Sequence, residues 1–313
     1  MKDLKKGFIP VMLTPFKENG EIDFKTLTEL TEMYLKAGVT GLFANCLSSE
    51  MFELNHNERI KLVEHVMDVV DGQVPVVATG TFEGTLEEQA SFVKRIYGTN
   101  IHAVILISSL LAKQDESDEV FNEKVHQLLD LTPGVMTGFY ECPVPYKRLI
   151  SASQLESFVN TGRVIYHKDT SLDINQINEK LSVITNPNFG LYDAYIVNAV
   201  DSLKVGAAGL SCIQGNFFPE IIVWLCNNYD NISLKNQVNQ VQEFFIENMD
   251  VMHNVYPVIS KYALQSRGLD ISTFVRRGDI GKFDANIKVE IDNLINRYTF
   301  LTNELELEEI DFS

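Results

Sequence analysis

Short β-branched runs alternate with longer stretches of helical period along most of the chain. The runs cover residues 8–13, 39–45, 74–79, 103–108, 135–140, 164–168, 188–192 and 207–213. They are nearly continuous in apolar residues, the mark of strands buried on both faces. Residues 24–37, 57–70, 85–97, 118–129, 151–159, 173–184, 194–204 and 219–228 carry the helical pattern. Eight strand–helix units in unbroken alternation predict a parallel sheet covered by helices. Eight is also the number that closes a (β/α)8 TIM barrel. A doubly wound open sheet would place a Gly-x-Gly-x-x-Gly cradle after its first strand. Here that strand runs into Thr14-Pro15-Phe16.

Past residue 230 the strand pattern stops. Residues 234–249, 257–266 and 279–298 predict helices. The expected organisation is a barrel over 1–230, a C-terminal helical extension packed on it over 231–302, and an acidic tail over 303–313. The tail is expected to be frayed or solvated. No Gly-, Ser- or Pro-rich linker separates these parts.

Charge narrows the partners. Lys and Arg total 26 against 43 Asp and Glu, a net charge of −17. Nucleic acid, which needs a basic footprint, and an anionic membrane surface are therefore not expected partners. No run approaches the ~18 apolar residues of a membrane span, and the charged N-terminus does not read as a signal peptide. Cys46, Cys142, Cys212 and Cys226 form no Cys-x-x-Cys pair and no zinc spacing. A reducing, cytoplasmic setting is the expectation.

In such barrels the functional residues sit at the C-terminal ends of the strands. Lys168 closes the apolar run Val164-Ile165-Tyr166. Facing inward, it would be desolvated and its ammonium disfavoured. A neutral amine there can attack a ketone and form a Schiff base. The alternative is a lysine that snorkels to the surface. Tyr140 ends the neighbouring strand and can relay protons, or serve as a buried ring with a satisfied hydroxyl. Ser48 and Ser49 can hold a carboxylate with hydroxyls and backbone N–H groups, or form an ordinary turn. His167 alternates away from Lys168 and reads as a barrel–helix packing residue. Cys46, Cys142 and Cys212 lie near strand ends and read as small packing residues.

Taken together in order, these segments resemble the pyruvate-dependent Schiff-base aldolases, the dihydrodipicolinate synthase / N-acetylneuraminate lyase family. The resemblance runs from about Gly7 to about Arg277. It rests on Gly7 through Phe16, Asn19 through Asp23, Ala37 through Phe43, and the pair Glu58-Arg59. Tyr140 with Pro143 is similar to the family's Tyr-x-x-Pro, and Lys168-Asp169-Thr170-Ser171 to its lysine motif. Gly206 through Asn216 and Pro219 resemble its last strand, and Pro257, Lys261 and Gly268-Leu269 its C-terminal helices.

The resemblance implies a class I aldolase or lyase acting on pyruvate or another small 2-oxo acid. Lys168 would form the iminium and Tyr140 would shuttle protons. Ser48, Ser49, Ser211 and Asp193 would bind substrate. The iminium is the electron sink, so neither metal nor cofactor is expected. A homotetramer or dimer is implied by the resemblance alone.

The departures bear on the acceptor. The family's Gly-Thr-Thr-Gly-Glu reads Cys46-Leu47-Ser48-Ser49-Glu50 here. Leu110-Leu111 stand where the synthases carry a tyrosine pair. Pro145 stands where they carry an arginine for the second substrate's carboxylate, with Lys147 and Arg148 close by. Asp193 matches half of the lyases' Asp-Glu pair, with Ala194 after it. A neutral or sugar-derived acceptor is therefore expected ahead of aspartate semialdehyde. The rival readings are a diverged barrel that binds a 2-oxo acid or sugar acid without turnover, an authentic dihydrodipicolinate synthase, and an interaction protein with an acidic contact surface.

Overall fold

Two facing glycines let the sheet curl shut. Gly7 and Gly209 pair in register, and a Cβ on Gly209 would stand 1.8 Å from the Gly7 carbonyl oxygen. Only glycine allows that approach. The computed structural model describes residues 6–278, 281–307 and 310. Its eight parallel strands are β1 (Gly7–Phe8), β2 (Leu42–Asn45), β3 (Val76–Thr79), β4 (Ala103–Ile107), β5 (Thr137–Tyr140), β6 (Val164–Asp169), β7 (Gly190–Asp193) and β8 (Gly209–Leu210). They neighbour one another in the order β1-β8-β7-β6-β5-β4-β3-β2, and a parallel bridge from Val11 to Phe43 closes the ring. The fold is the (β/α)8 barrel.

The helices are α1 (Phe24–Lys36), α2 (His56–Val70), α3 (Leu86–Tyr97), the single turn α4 (Ser108–Leu111), α5 (Asp118–Leu131), α6 (Ala152–Val159) and α7 (Ile174–Val183). After them come α8 (Ala199–Lys204), α9 (Pro219–Asn228), α10 (Lys235–Glu247), α11 (Met249–His253), α12 (Val258–Ser266) and α13 (Ala285–Glu304). Side-chain caps mark the starts of α1, α2, α3, α5, α6, α7 and α13. Asn55, Thr85 and Ser151 close reciprocal capping boxes with Glu58, Glu88 and Gln154. No helix among the described residues is long and apolar enough to cross a membrane.

Several boundaries differ from the sequence pattern. β1 is two residues long because Pro10 has no N–H for the ladder. β8 stops at Leu210, since Ile213–Asn216 winds into a 3-10 turn. The expected helix over 194–204 begins only at Ala199, after the 3-10 turn Ile196–Asn198. α13 starts at Ala285 rather than 279 and runs on to Glu304, into the stretch expected to fray. Residues 279–280, 308–309 and 311–313 lie outside the described residues.

The extension packs directly on the barrel's helices and strand-end loops. The rings of Phe218 and Tyr298 stack at 4.1 Å, and Gln242 donates to the Val197 carbonyl. Tyr34, Phe217, Phe218, Phe245 and Tyr298 are fully buried in one continuous core that spans both parts.

Gly209→Ala tests the closure. The methyl has backbone on the far side, with no flexible side chain to give way. Stability by urea unfolding should fall by about 3 kcal/mol or more, and an unchanged midpoint would refute the argument.

Candidate active site

Strand alternation sorts the side chains at the ends of β5 and β6. Tyr140 pairs in register with Lys168, and Tyr166 and Lys168 share the inner face. Beneath them lies an aromatic floor. Phe43 makes edge contacts with Tyr140 and Tyr166, and Tyr166 stacks on Tyr192 at 4.9 Å. Lys168 is 4% exposed, with its Nζ 4.4 Å from the Tyr140 ring centroid. Burial lowers its pKa, opposed only in part by the nearby Cys46, Cys142 and Cys212 thiols. Burial in turn pushes the Cys142 thiol up to about 11 and the Cys212 thiol up to about 12. Lys168 is thus wrapped in neutral groups. Burial also raises the Tyr140 phenol, which faces Cys142.

Three lysines are buried among the described residues, and the other two are paired. Lys261 of α12 lies 3.0 Å from Glu50 Oε1 and donates to the Phe274 carbonyl. Lys180 of α7 lies 2.7 Å from Glu141 Oε1 and 2.6 Å from Asp169 Oδ2. No carboxylate lies against Lys168 among the described residues.

The outward-facing neighbours form a second, charged layer. Glu141, His167 and Asp169 come close enough together to resemble a metal cradle, but the Lys180 ammonium stands between them. His167, expected as a packing residue, is part of this ionic cluster. Burial lowers its pKa, yet Glu141 and Asp169 outweigh that and raise it overall. Glu141 also accepts the backbone N–H groups of Ile150 and Thr170, which pins the segments after β5 and β6.

The turn after β2 is a 3-10 helix, Leu47–Ser49. Ser49, expected as a carboxylate ligand, holds this turn instead. Its hydroxyl lies 2.7 Å from the Met12 carbonyl and 3.1 Å from that of Ala44. Ser48 faces the barrel mouth beside the phenol of Tyr256. Glu50, at φ 57°, caps the turn and accepts the backbone N–H groups of Arg276 and Arg277.

Ser211 donates to the Ile9 carbonyl and meets the Tyr166 hydroxyl, in the layer of the aromatic floor. Asp193 pairs in register with Asp169, so it shares that residue's outward direction, toward Ser202 of α8. Burial pushes its carboxyl up to about 7. Neither Ser211 nor Asp193 joins Lys168, and alternation is the reason for Asp193.

A cavity of about 540 Å³ opens at the mouth, lined by Leu47, Arg59, Leu110, Val144, Pro145 and Arg277 among others. Lys168 and Tyr140 do not line it. Lys147 donates instead to the Thr170 carbonyl, and Arg148 is held by Asp118 and the Lys113 and Glu116 carbonyls. Sequence reasoning missed the Lys180 pairing, Tyr256 and Arg277, all supplied from distant segments. The Glu141-Cys142-Pro143 step beside Tyr140 was the visible signal for the first.

Comparison with known proteins agrees with this architecture. A model of the dihydrodipicolinate synthetase family matches residues 4–297. The 4-hydroxy-tetrahydrodipicolinate synthase of Haloarcula marismortui is 29% identical over 216 residues, 68% of each chain. That of Bacillus subtilis is 24% identical over 266 residues, 84% of this chain and 89% of its own. The dihydrodipicolinate synthase of Thermotoga maritima superposes with a TM-score of 0.83 at 20% identity, covering 95% of this chain and 99% of its own. A prophage protein of the same family from E. coli K12, solved in complex with pyruvate, gives 0.83 at 19% identity and the same coverage.

Lys180→Met removes the ammonium between two buried carboxylates. At pH 7 this should cost about 3–5 kcal/mol in urea unfolding. Burial pushes Asp169 and Glu141 up, but His167 and Lys180 outweigh it and hold both carboxyls below their ordinary values. Their contribution is therefore present above about pH 4 and lost as pH falls below it. In the variant, acid relieves the unpaired charges instead. The stability gap to wild type should narrow between pH 7 and pH 3; a constant gap would contradict this account.

Proposed function

The chain belongs to the dihydrodipicolinate synthetase family, whose members are class I aldolases and lyases, and from that premise we propose that it condenses or cleaves a small 2-oxo acid through a Schiff base on Lys168. Pyruvate is the proposed 2-oxo acid. The observation that carries the reading is the contrast among the buried lysines: two are paired with carboxylates and Lys168 is not. A desolvated amine with no counter-charge gives up its proton more readily than an exposed one, and the freed lone pair attacks the ketone. Loss of water then gives the iminium, which accepts the electron pair of the bond being broken or loses an α-proton to become the enamine that attacks the acceptor's carbonyl carbon. Tyr140, against the Lys168 amine, carries protons to and from the carbinolamine and the aldol oxygen. Ser48 and the N–H groups of its turn take the carboxylate.

The acceptor reading rests on the cavity at the mouth. Leu110 and Pro145 line it and supply neither a hydroxyl nor a charge. Lys147 and Arg148 are engaged elsewhere. A neutral or sugar-derived aldehyde suits such a wall. Arg277 on the same cavity favours a second reading, an authentic dihydrodipicolinate synthase whose second carboxylate is met by an arginine from the extension. Arg277→Leu separates them. Under the second reading it weakens use of aspartate semialdehyde by about 10- to 150-fold, the cost of one charged hydrogen bond. Under the first, wild type itself uses that substrate poorly, with kcat/KM below about 10⁴ M⁻¹s⁻¹.

Borohydride reduction with a panel of 2-oxo acids is the main test. Wild type should gain one reduced adduct per chain, and Lys168→Ala none. Lys168→Arg should be equally inert, because its guanidinium stays protonated. A wild type that binds 2-oxo acids without trapping or turnover would point to a binding protein. Tyr140→Phe should keep its fold and lose about 10²–10⁴ in turnover. Turnover near wild type would leave Tyr140 as a core ring.

A further inference from the structure

The C-terminal extension brings a phenol against the turn that follows β8. Tyr256 precedes α12, and its phenol oxygen lies 2.6 Å from Asn216 Nδ2. Asn216 has a fixed orientation. Its Nδ2 also donates to the Val11 carbonyl at 2.8 Å, a group that can only accept, so its Oδ1 must be the atom that accepts from the Tyr34 hydroxyl at 2.6 Å. Both Asn216 N–H bonds are thereby used, one of them on the Tyr256 oxygen. The phenol accepts there, so its own proton points elsewhere. The Ser48 hydroxyl neighbours the phenol, and Cys46 and Cys212 of the thiol ring around Lys168 lie within its electrostatic reach. The Tyr140 and Tyr256 phenols lie within each other's electrostatic reach.

The backbone holds Tyr256 in place at a cost. Val255 adopts φ 44°, a left-handed conformation that is an outlier for a β-branched residue. Strain of that kind persists where the surroundings over-determine it and gathers at working sites.

We propose that Tyr256 is a substrate-binding residue whose hydroxyl donates, together with Ser48, to the carboxylate of the 2-oxo acid. This rests on the Schiff-base reading above and assigns the second side-chain donor of the carboxylate clamp. Two neutral donors and the open end of a 3-10 turn suit a single carboxylate. They fill the role that Ser49 gives up by bonding to Met12 and Ala44. The Tyr34–Asn216–Tyr256 relay orients the donor without adding a charge beside Lys168.

The test uses full-length protein and two probes. Oxamate copies the pyruvate carboxylate and forms no imine, so calorimetry with it reads the clamp apart from the chemistry. Tyr256→Phe should weaken oxamate by about 10- to 150-fold and raise the half-saturation of pyruvate in borohydride trapping by a similar factor. Trapping of methyl pyruvate, which lacks the anion, should change less than threefold. Equal losses for pyruvate and methyl pyruvate, or an unchanged oxamate affinity, would overturn the assignment. The Phe variant leaves an Asn216 N–H without its acceptor, so a second measurement keeps both contacts. With 3-fluorotyrosine incorporated at position 256, the fluorine resonance should shift as oxamate saturates, and a resonance that stays put overturns the assignment. If wild type binds oxamate and traps no 2-oxo acid, the Schiff-base reading fails while the clamp stands. If wild type traps pyruvate and the Phe variant matches it, the clamp alone fails.

Discussion

Successive side chains of a strand point to opposite faces, and at the ends of β5 and β6 this constraint separates two kinds of lysine environment. Tyr140 and Lys168 turn into the barrel, among aromatic rings and thiols. Glu141, His167 and Asp169, each one residue away, turn out toward α7, where Lys180 meets them. The carboxylates that would have neutralised Lys168 are held on the other side of the sheet wall by a different lysine. A slip of one residue in either strand would exchange the two environments and leave Lys168 paired and inert.

The helical extension completes what the strands begin. Lys261 of α12 and the backbone N–H groups of Arg276 and Arg277 all converge on Glu50, the residue that ends the Leu47–Ser49 turn. Buried ion pairs of this sort add little net stability, because desolvation offsets most of the attraction. Their effect is geometric: they tie the turn that carries Ser48 to the segments of the extension that carry Tyr256 and Arg277. The extension is thus fastened to the strand-end turn after β2, in keeping with the single core shared by its helices and those of the barrel.

The fold was legible because barrel strands leave a strong local signal. Apolar runs of five to seven residues, each followed by a stretch of helical period, state the alternation outright. Strand ends were read less well where the backbone rather than the side chains decided, as at Pro10 and at the turn after Leu210. The strand-end positions of Lys168 and Tyr140, side by side on the inner face, were legible from the pattern of apolar runs. That the Ser49 hydroxyl lies against the Met12 and Ala44 carbonyls, and that Asp193 stands in register with Asp169, depends on contacts between distant segments that residue type alone does not reveal. Tyr256 and Arg277 come from segments whose sequence carries no trace of the contact, since their places depend on how the extension packs on the barrel.

The central claim is that an uncompensated buried amine at Lys168, and no other lysine, is the nucleophile. Residue-level mass mapping after reduction with pyruvate, repeated from pH 6 to pH 9, tests it most directly. The account predicts a single adduct at Lys168, already formed at pH 7, with Lys180 and Lys261 unmodified throughout. An adduct on either of those lysines, or labelling of Lys168 that begins only above pH 9, would contradict it.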